Sequence, residues 1–366
     1  MQINDQRIVK ILQHQSSLLP MLPQEKKSSI AVIVGKVSEN FIKRIDLPLT
    51  VMGDITCAIW STSKEVALAI DKCVYYYSIA DKTHREKPVA QCSGRILDMK
   101  IYRGCLIIAE GSHDPDSKKT IKIFEKNGTI KEITNPPFRT GYFYCNVQTQ
   151  INAYGRVFTI FKDKLIFIGA DGAVRQVDLD RSDTQATRLT DSKAAYHMLD
   201  AHGPNLVGIT PQFLVFIESE TWSKEKKVCL GGVLTALEVT HDFVIVSQYR
   251  TDIYGSFNRL LVIDFGINRR AELEVQISES IRHLKHFAHG GKRYIVAVSF
   301  GYSSTVQLIE YISKTDRFSF LKRLDNLNTN PLCSWINSVH INAENASILL
   351  VGPQNFVTML KLKSDA

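Results

Sequence analysis

LTALEVTHDFVIVS, residues 234–247, and LLVIDF, residues 260–265, decide the fold of this chain. The first stretch reads as two strands joined at His241-Asp242, a short polar pair where the backbone reverses. Its second half, FVIVS, is apolar almost without a break, as expected of a strand covered on both faces. LLVIDF adds a third strand ending at an acid, and AELEVQI, residues 271–277, a fourth in which apolar and charged residues alternate. The order repeats. Its second strands are VALAI from Val66, LIIAE from Leu106, LIFIG from Leu165, LVGIT from Leu206, FVIVS from Phe243, YIVAVS from Tyr294 and SILLVG from Ser347, starting 37 to 59 residues apart. Such an interval holds one four-stranded propeller blade. The expected fold is all-β: a seven-bladed β-propeller of four-stranded antiparallel blades.

Fourth strands are weaker, and six units have one: PVAQC, TIKEI, ATRLT, KKVCL, AELEVQI and FSFLKRL. The seventh unit reaches Ala366 with three strands only. Two apolar segments precede the first unit, IAVIVGK (30–36) and NFIKRIDL (40–47). Residues 41–47 are expected to supply the missing outer strand of the last blade, closing the ring and covering an edge that would otherwise template aggregation. No pairing is assigned to 30–36. Residues 1–29 read as an N-terminal extension with a short helix, from the spacing of Ile8, Ile11 and Leu12 ahead of Pro20 and Pro23. Residues 30–366 read as a single propeller.

Composition sets broad limits. The chain has 366 residues, 44% hydrophobic and 22% charged, ordinary for a globular protein with a real core. No apolar run reaches the roughly 18 residues of a membrane-spanning helix, and the N-terminus lacks the apolar stretch of a secretory signal. An intracellular location, cytoplasmic or nuclear, is expected. Seven cysteines with no CxxC pair read as free thiols, mostly buried, in a reducing compartment. Asn127 and Asn345 begin Asn-x-Ser/Thr triplets that read as hairpin turns. The net charge of +8 permits an acidic partner. The basic residues Lys43-Arg44, Lys118-Lys119, Lys224, Lys226-Lys227, Arg269-Arg270 and Lys322-Arg323 are spread along the chain, and several are expected in or beside the solvated outer strands.

Chemistry-bearing motifs are few. Neither GxxxxGK[ST], GxGxxG nor GxSxG occurs. His283, His286 and His289 are spaced by three, and on a strand residues three apart point to opposite faces, so no metal site is assigned. His113-Asp114-Pro115-Asp116 reads as a solvated turn. No catalytic, cofactor-binding or metal-binding residue is assigned, and no cofactor is expected.

Val177-Asp178 and Ile263-Asp264 each end a third strand on an acid. With the blade interval, they give residues 30 to 365 a pattern that resembles the WD40-like seven-bladed β-propeller superfamily, although its Gly-His and Trp-Asp pairs are not present. That resemblance implies that second-to-third-strand loops and blade-to-blade loops emerge on one face. Long loops on that face are 111–120, 248–259, 301–304, 135–152 and 325–334, and loops this long are more often functional than structural. QYRTDIYGSFNR (248–259) and RTGYFY (139–144) mix arginine with aromatics, the residue types that dominate interfaces. Tyr142, Phe143, Arg250, Tyr254, Phe257, Arg259 and Tyr302 are therefore the candidate partner-binding residues. The expected function is a non-catalytic protein-interaction scaffold or adaptor, one subunit of a larger assembly. Two alternatives stand beside it. One is a propeller enzyme of lactonase or hydrolase type, using His197, His283, His340, Asp98 and Asp200 at the central channel. The other is a basic propeller subunit of a nucleic-acid-containing complex.

Overall fold

The continuous apolar second strands have a simple cause: each is sandwiched between two other blades. In the strand Phe243–Asp252, Phe243 and Ile245 join one buried cluster, with the following blade, while Val244 and Val246 join another, with the preceding blade. Alternate residues point to opposite faces, and here both faces are buried. The computed structural model describes residues 42–49, 51, 53–111, 119–133, 142–144, 150–152, 157–169, 171–180, 185–190, 196–217, 225–252, 255–275, 280–299, 304–325, 327 and 336–362. The helix expected before Pro20 and the segment 30–36 lie outside the described residues.

Seven antiparallel sheets follow one another along the chain, each running from an inner to an outer strand. Their first and second strands are Ile55–Trp60 and Glu65–Ile70 in blade 1, Arg95–Tyr102 and Cys105–Gly111 in blade 2, and Phe158–Phe161 and Lys164–Ile168 in blade 3. Blades 4 to 7 continue with Met198–His202 and Asn205–Ile209, Val233–Val239 and Phe243–Asp252, Ile281–His289 and Lys292–Ser299, and Ser338–Asn342 and Ser347–Val351. The innermost strand of blade 7 packs against that of blade 1, so the ring closes. The core is divided accordingly. Each of seven buried clusters is shared by two neighbouring blades, and together they cover every junction in the ring.

Closure is made by the N-terminal strand. Ile42–Asp46 pairs antiparallel with the last strand, Val357–Leu362, in the register Ile42 to Leu362 and Ile45 to Met359. Side chains lock it: Thr358 Oγ1 donates to Asp46 Oδ1 at 2.6 Å, and Arg44 Nη2 donates to Leu327 O at 2.9 Å. Burial works to raise the Asp46 pKa, but the Thr358 and Arg44 bonds outweigh it and hold the carboxyl below its usual value. Leu47 is buried in the cluster between blades 7 and 1.

Polar side chains stitch the inner strands from one blade to the next. Asp98 of blade 2 accepts the N–H of Val157 at 2.7 Å and of Phe158 at 3.3 Å, at the start of blade 3. Asp200 of blade 4 accepts the Val239 N–H of blade 5 at 2.8 Å, and Asn337 Nδ2 donates to Ile55 O at 2.8 Å across the closing junction. Four first strands carry one extra residue, at Thr56, Leu97, Thr235 and Arg282, where the register to the second strand shifts. Such bulges bend a strand and sharpen its twist, as a blade's innermost strand requires.

Three details differ from expectation. The fourth strand of blade 1 is two short pieces, Thr83–His84 and Ala90–Gln91, both paired with Cys73–Ser78. Pro88 lies between them, and a proline has no N–H to give a ladder. The blade 2–3 connection, expected as loop, contains a small hairpin of Tyr142–Tyr144 with Gln150–Asn152. Cys229 is exposed, because it sits on the outer strand of blade 4; Cys57 and Cys92 are buried and free, and burial pushes the Cys92 thiol up to about 12.

Candidate functional site

The hairpin of Phe243–Asp252 and Gly255–Asp264 is the longest in the ring, and it outgrows its own blade. Val233 of the first strand pairs no further along than Tyr249, and Val275 of the fourth no further than Asn258. Beyond them, Arg250–Asp252 and Gly255–Phe257 pair with each other alone. A ribbon of this kind holds only if its base is fixed. Here Gln248 Nε2 donates to Leu230 O at 2.7 Å and to Gly231 O, and Arg250 Nη2 donates to Leu230 O at 3.3 Å. Both acceptors belong to the turn entering blade 5 from blade 4, so the hairpin and that blade-to-blade turn share one face.

Register assigns the side chains. Gln248 stands opposite Arg259, and Arg250 opposite Phe257, on the same face of the ribbon. Arg259 Nε is 2.8 Å from Glu272 Oε1, with side chains 21% and 19% exposed, and its guanidinium lies 5.8 Å from the Phe257 ring centre. Arg269 reaches the same Glu272 carboxylate at 3.0 Å. Burial, with the Arg259 charge nearby, lowers the Arg250 pKa from its ordinary value. Arg259 is thus committed to its own blade, while Arg250 and Phe257 carry the ribbon beyond it. Tyr142 and Phe143 fall on the strand Tyr142–Tyr144, and Tyr254 and Tyr302 lie outside the described residues.

The turn beneath the ribbon has no room to spare. Gly232 has φ +75°, and a Cβ there would stand 3.0 Å from Arg250 Cγ and 3.1 Å from Tyr249 O. Gly232→Val adds left-handed backbone strain to that crowding. It should lower unfolding free energy by about 2 kcal/mol or more, read by urea denaturation, and displace the ribbon base.

Blade 2 has an anchor at the matching position, one that sequence reasoning did not single out. Glu110 pairs with Ile96 just before its bulge, as Gln248 pairs with Leu234 just before its own. The roles are mirrored. Glu110 accepts from Ser93 N–H at 2.9 Å, Gly94 N–H at 3.2 Å, Ser93 Oγ at 3.0 Å, Thr120 Oγ1 at 2.9 Å and Lys122 Nζ at 2.6 Å. In blade 6, Ser304 Oγ accepts the Ile336 N–H of the segment entering blade 7 at 3.1 Å. The signal in the sequence was a lone acid ending LIIAE, which no motif explains.

Four of the five central-channel candidates have hydrogen-bond partners in their own or the next blade. Asp98 and Asp200 are spent on the stitching bonds above. His197 donates from Nε2 to Leu234 O of the next blade at 3.0 Å, and His340 Nε2 lies 2.8 Å from Ser338 Oγ in its own blade. His283, His286 and His289 lie on the extended strand Ile281–His289. Burial drops the His286 pKa to about 4. Among the described residues no three His, Cys, Asp or Glu side chains converge as a metal site would need. The basic pairs Lys226-Lys227, Arg269-Arg270 and Lys322-Arg323 fall on outer strands, and Lys43-Arg44 on the closing strand. This is the solvated rim expected of them, whereas Lys119, of the Lys118-Lys119 pair, is buried. Among the described residues no helix is long and apolar enough to cross a membrane.

No protein-family model and no curated protein matches the chain. Solved structures do. A chain of the "Crystal Structure of Mitotic Checkpoint Complex" superposes with a TM-score of 0.63 at 10% identity, covering 94% of this chain and 99% of that one. The WD40 β-propeller domain of Doa1 superposes with a TM-score of 0.61 at 12% identity, covering 88% of this chain and 98% of that one. Blade number and strand order define a seven-bladed β-propeller, and its fold is like that of WD40 propellers. At such identities the likeness is one of fold.

Proposed function

We propose that this propeller is a non-catalytic protein-interaction scaffold, a subunit of a larger intracellular assembly, that binds a protein partner through the face carrying the 243–264 hairpin. One observation carries the reading: a ribbon extended three residue pairs past its sheet and pinned at its base by Gln248 and Arg250. A rigid ring adds nothing to its own core by raising such a ribbon. Pre-ordering it removes entropy that a partner's binding would otherwise have to overcome. Arg250 and Phe257 lie on it side by side, with Tyr254 at its tip in sequence. Arg259 supports them through Glu272. One chain of the mitotic checkpoint complex, a protein assembly, shares this fold, which agrees with a scaffold.

The test is the combined substitution Arg250→Ala, Tyr254→Ala and Phe257→Ala in the full chain, purified from its native cells beside the wild type. Partner recovery should fall about tenfold or more, while the thermal midpoint stays within a few degrees. Undiminished recovery of the same partner by the triple variant contradicts the assignment of this face.

A further inference from the structure

The junction where the ring closes, between blades 7 and 1, holds a cavity of about 220 Å³. It lies by the turns at 61–64 and 343–346, which join first to second strands, at the opposite end of the blades from the long hairpin. Its walls are Trp60, Ile79, Asn345 and Met359, and the exposed Lys64 and Lys361 also line it.

Three lysines gather here without an ion-pair partner among the described residues. Lys361 sits on the last strand directly opposite Lys43 of the closing strand, a like-charged pair that costs stability in an antiparallel ladder. Among the described residues, none of Lys43, Lys64 and Lys361 forms an ion pair. Of the nearby acids, Glu65 pairs with Arg85 at 3.2 Å and Asp46 with Arg44 at 2.9 Å, while Asp81 accepts from Ser78 Oγ at 2.7 Å and keeps its charge. Glu344, on the adjoining turn, makes no ion pair with the three lysines either.

Two wall residues carry unmet hydrogen-bonding capacity. Trp60 Nε1 and Asn345 Oδ1 are buried with no hydrogen-bond partner among the described residues. Leaving such groups unmet is unfavourable.

Size narrows the occupant. Pockets for drug-sized ligands and cofactors run from roughly 300 to 1,000 Å³, above what this cavity offers, while one bulky apolar side chain suits Ile79, Met359 and the indole. Three ammonium groups without an ion-pair partner among the described residues favour carboxylates on either side of that residue. We infer that the junction between blades 7 and 1 binds an acidic peptide segment of a partner protein, which inserts one apolar side chain into the cavity and pairs its flanking carboxylates with Lys43, Lys64 and Lys361. This surface is separate from the hairpin face and does not depend on it.

Fluorescence anisotropy on the full chain tests the inference with three fluorescein-labelled heptapeptides. One carries three glutamates on each side of a leucine, one replaces the leucine with glycine, and one replaces the glutamates with lysines. The glutamate–leucine peptide should bind, the glycine form about tenfold or more weakly, and the lysine form not at all. Lys64→Glu with Lys361→Glu should weaken binding about tenfold or more. Ala80→Trp, at a position lining the cavity, should abolish it, with thermal unfolding of both variants near wild type. The Arg250, Tyr254 and Phe257 triple variant should bind the peptide normally, which separates the two faces. Equal binding of the leucine and glycine peptides, which is plain charge attraction, overturns the inference. So does failure of the leucine peptide to bind, or its undiminished binding to the charge-reversed pair. Recruitment to phosphatidylserine vesicles through the same lysines, without peptide binding, overturns it in favour of a membrane surface.

Discussion

Deleting residues 1–47 should lower the thermal midpoint by about 10 °C and turn a monodisperse chain into soluble oligomers, whereas deleting residues 1–40 should do neither. The difference between the two deletions is the closing strand. Ile42 and Ile45 pack against the neighbouring clusters and Leu47 is buried among them. Fully burying one such side chain contributes about 1.5–3 kcal/mol, so the strand supplies roughly 4–6 kcal/mol of a total near 5–15 kcal/mol. Its loss also bares the ladder edge of Val357–Leu362, an apolar strand ready to pair with another copy. Differential scanning calorimetry with size-exclusion light scattering reads both effects. The point variant Ile45→Asp, which places a carboxylate against the same cluster, should reproduce the stability loss without shortening the chain.

Glu110→Gln should cost about 3 kcal/mol of unfolding free energy at pH 7, a penalty that fades as the pH falls from 5 towards 2. Burial resists ionisation of this carboxyl, but the hydrogen bonds from Lys122, Thr120, Gly94 and Ser93 prevail and lower its pKa from 4.5 to about 2. The folded-state pKa lies below the unfolded one, so the stabilisation is complete above pH 5. It is lost as acid protonates the carboxyl between those two values. A shift of that size corresponds to roughly 3 kcal/mol. The amide keeps the shape, but it puts an NH2 where a carboxylate oxygen met N–H and ammonium donors. Urea unfolding of wild type and variant at pH 7, 5, 4 and 3 should give curves that converge on acidification. A gap constant across that range would show that Glu110 acts through packing alone.

How much of this was legible before the structure depends on what each residue answers to. The seven second strands stood out because their environment is uniform: neighbours on both faces demand apolar residues at every position, and Phe243 through Val246 obey. The closing strand was legible by subtraction, since the seventh unit lacked an outer strand and residues 41–47 had none to pair with. Outer strands answer to one ladder and to water, and their patterns are correspondingly faint. In blade 1, Pro88 splits the strand, although PVAQC reads as one run. The bulges at Thr56, Leu97, Thr235 and Arg282 were not legible, because one inserted residue leaves composition and hydropathy unchanged. Asp98 and Asp200 looked like channel acids in sequence, and their bonds to the following blade depend on backbone positions some 40 to 60 residues away.

The candidate face was legible in part. Arginine and aromatics marked 248–259 as a long loop, whereas residues 248–252 and 255–259 are paired strand, and sequence could not apportion its residues between partner and scaffold. That division rests on register: Arg259 pairs with Glu274 of the fourth strand and reaches Glu272 diagonally, whereas Arg250 and Phe257 fall beyond the last pairs of the neighbouring strands. The anchors Gln248 and Glu110 went unmarked for the same reason, since their partners are backbone groups of a turn contributed by the preceding blade-to-blade connection.

Amide hydrogen exchange of the full chain, alone and in its native complex, tests the central claim most directly. Protection on complex formation is expected at residues 249–259 and in the adjoining turn at 230–234. Exchange in the buried second strands should stay unchanged, because the ring serves as a rigid platform. Unaltered exchange across 249–259 in a stoichiometric complex would contradict the claim that this hairpin face is where the scaffold holds its partner.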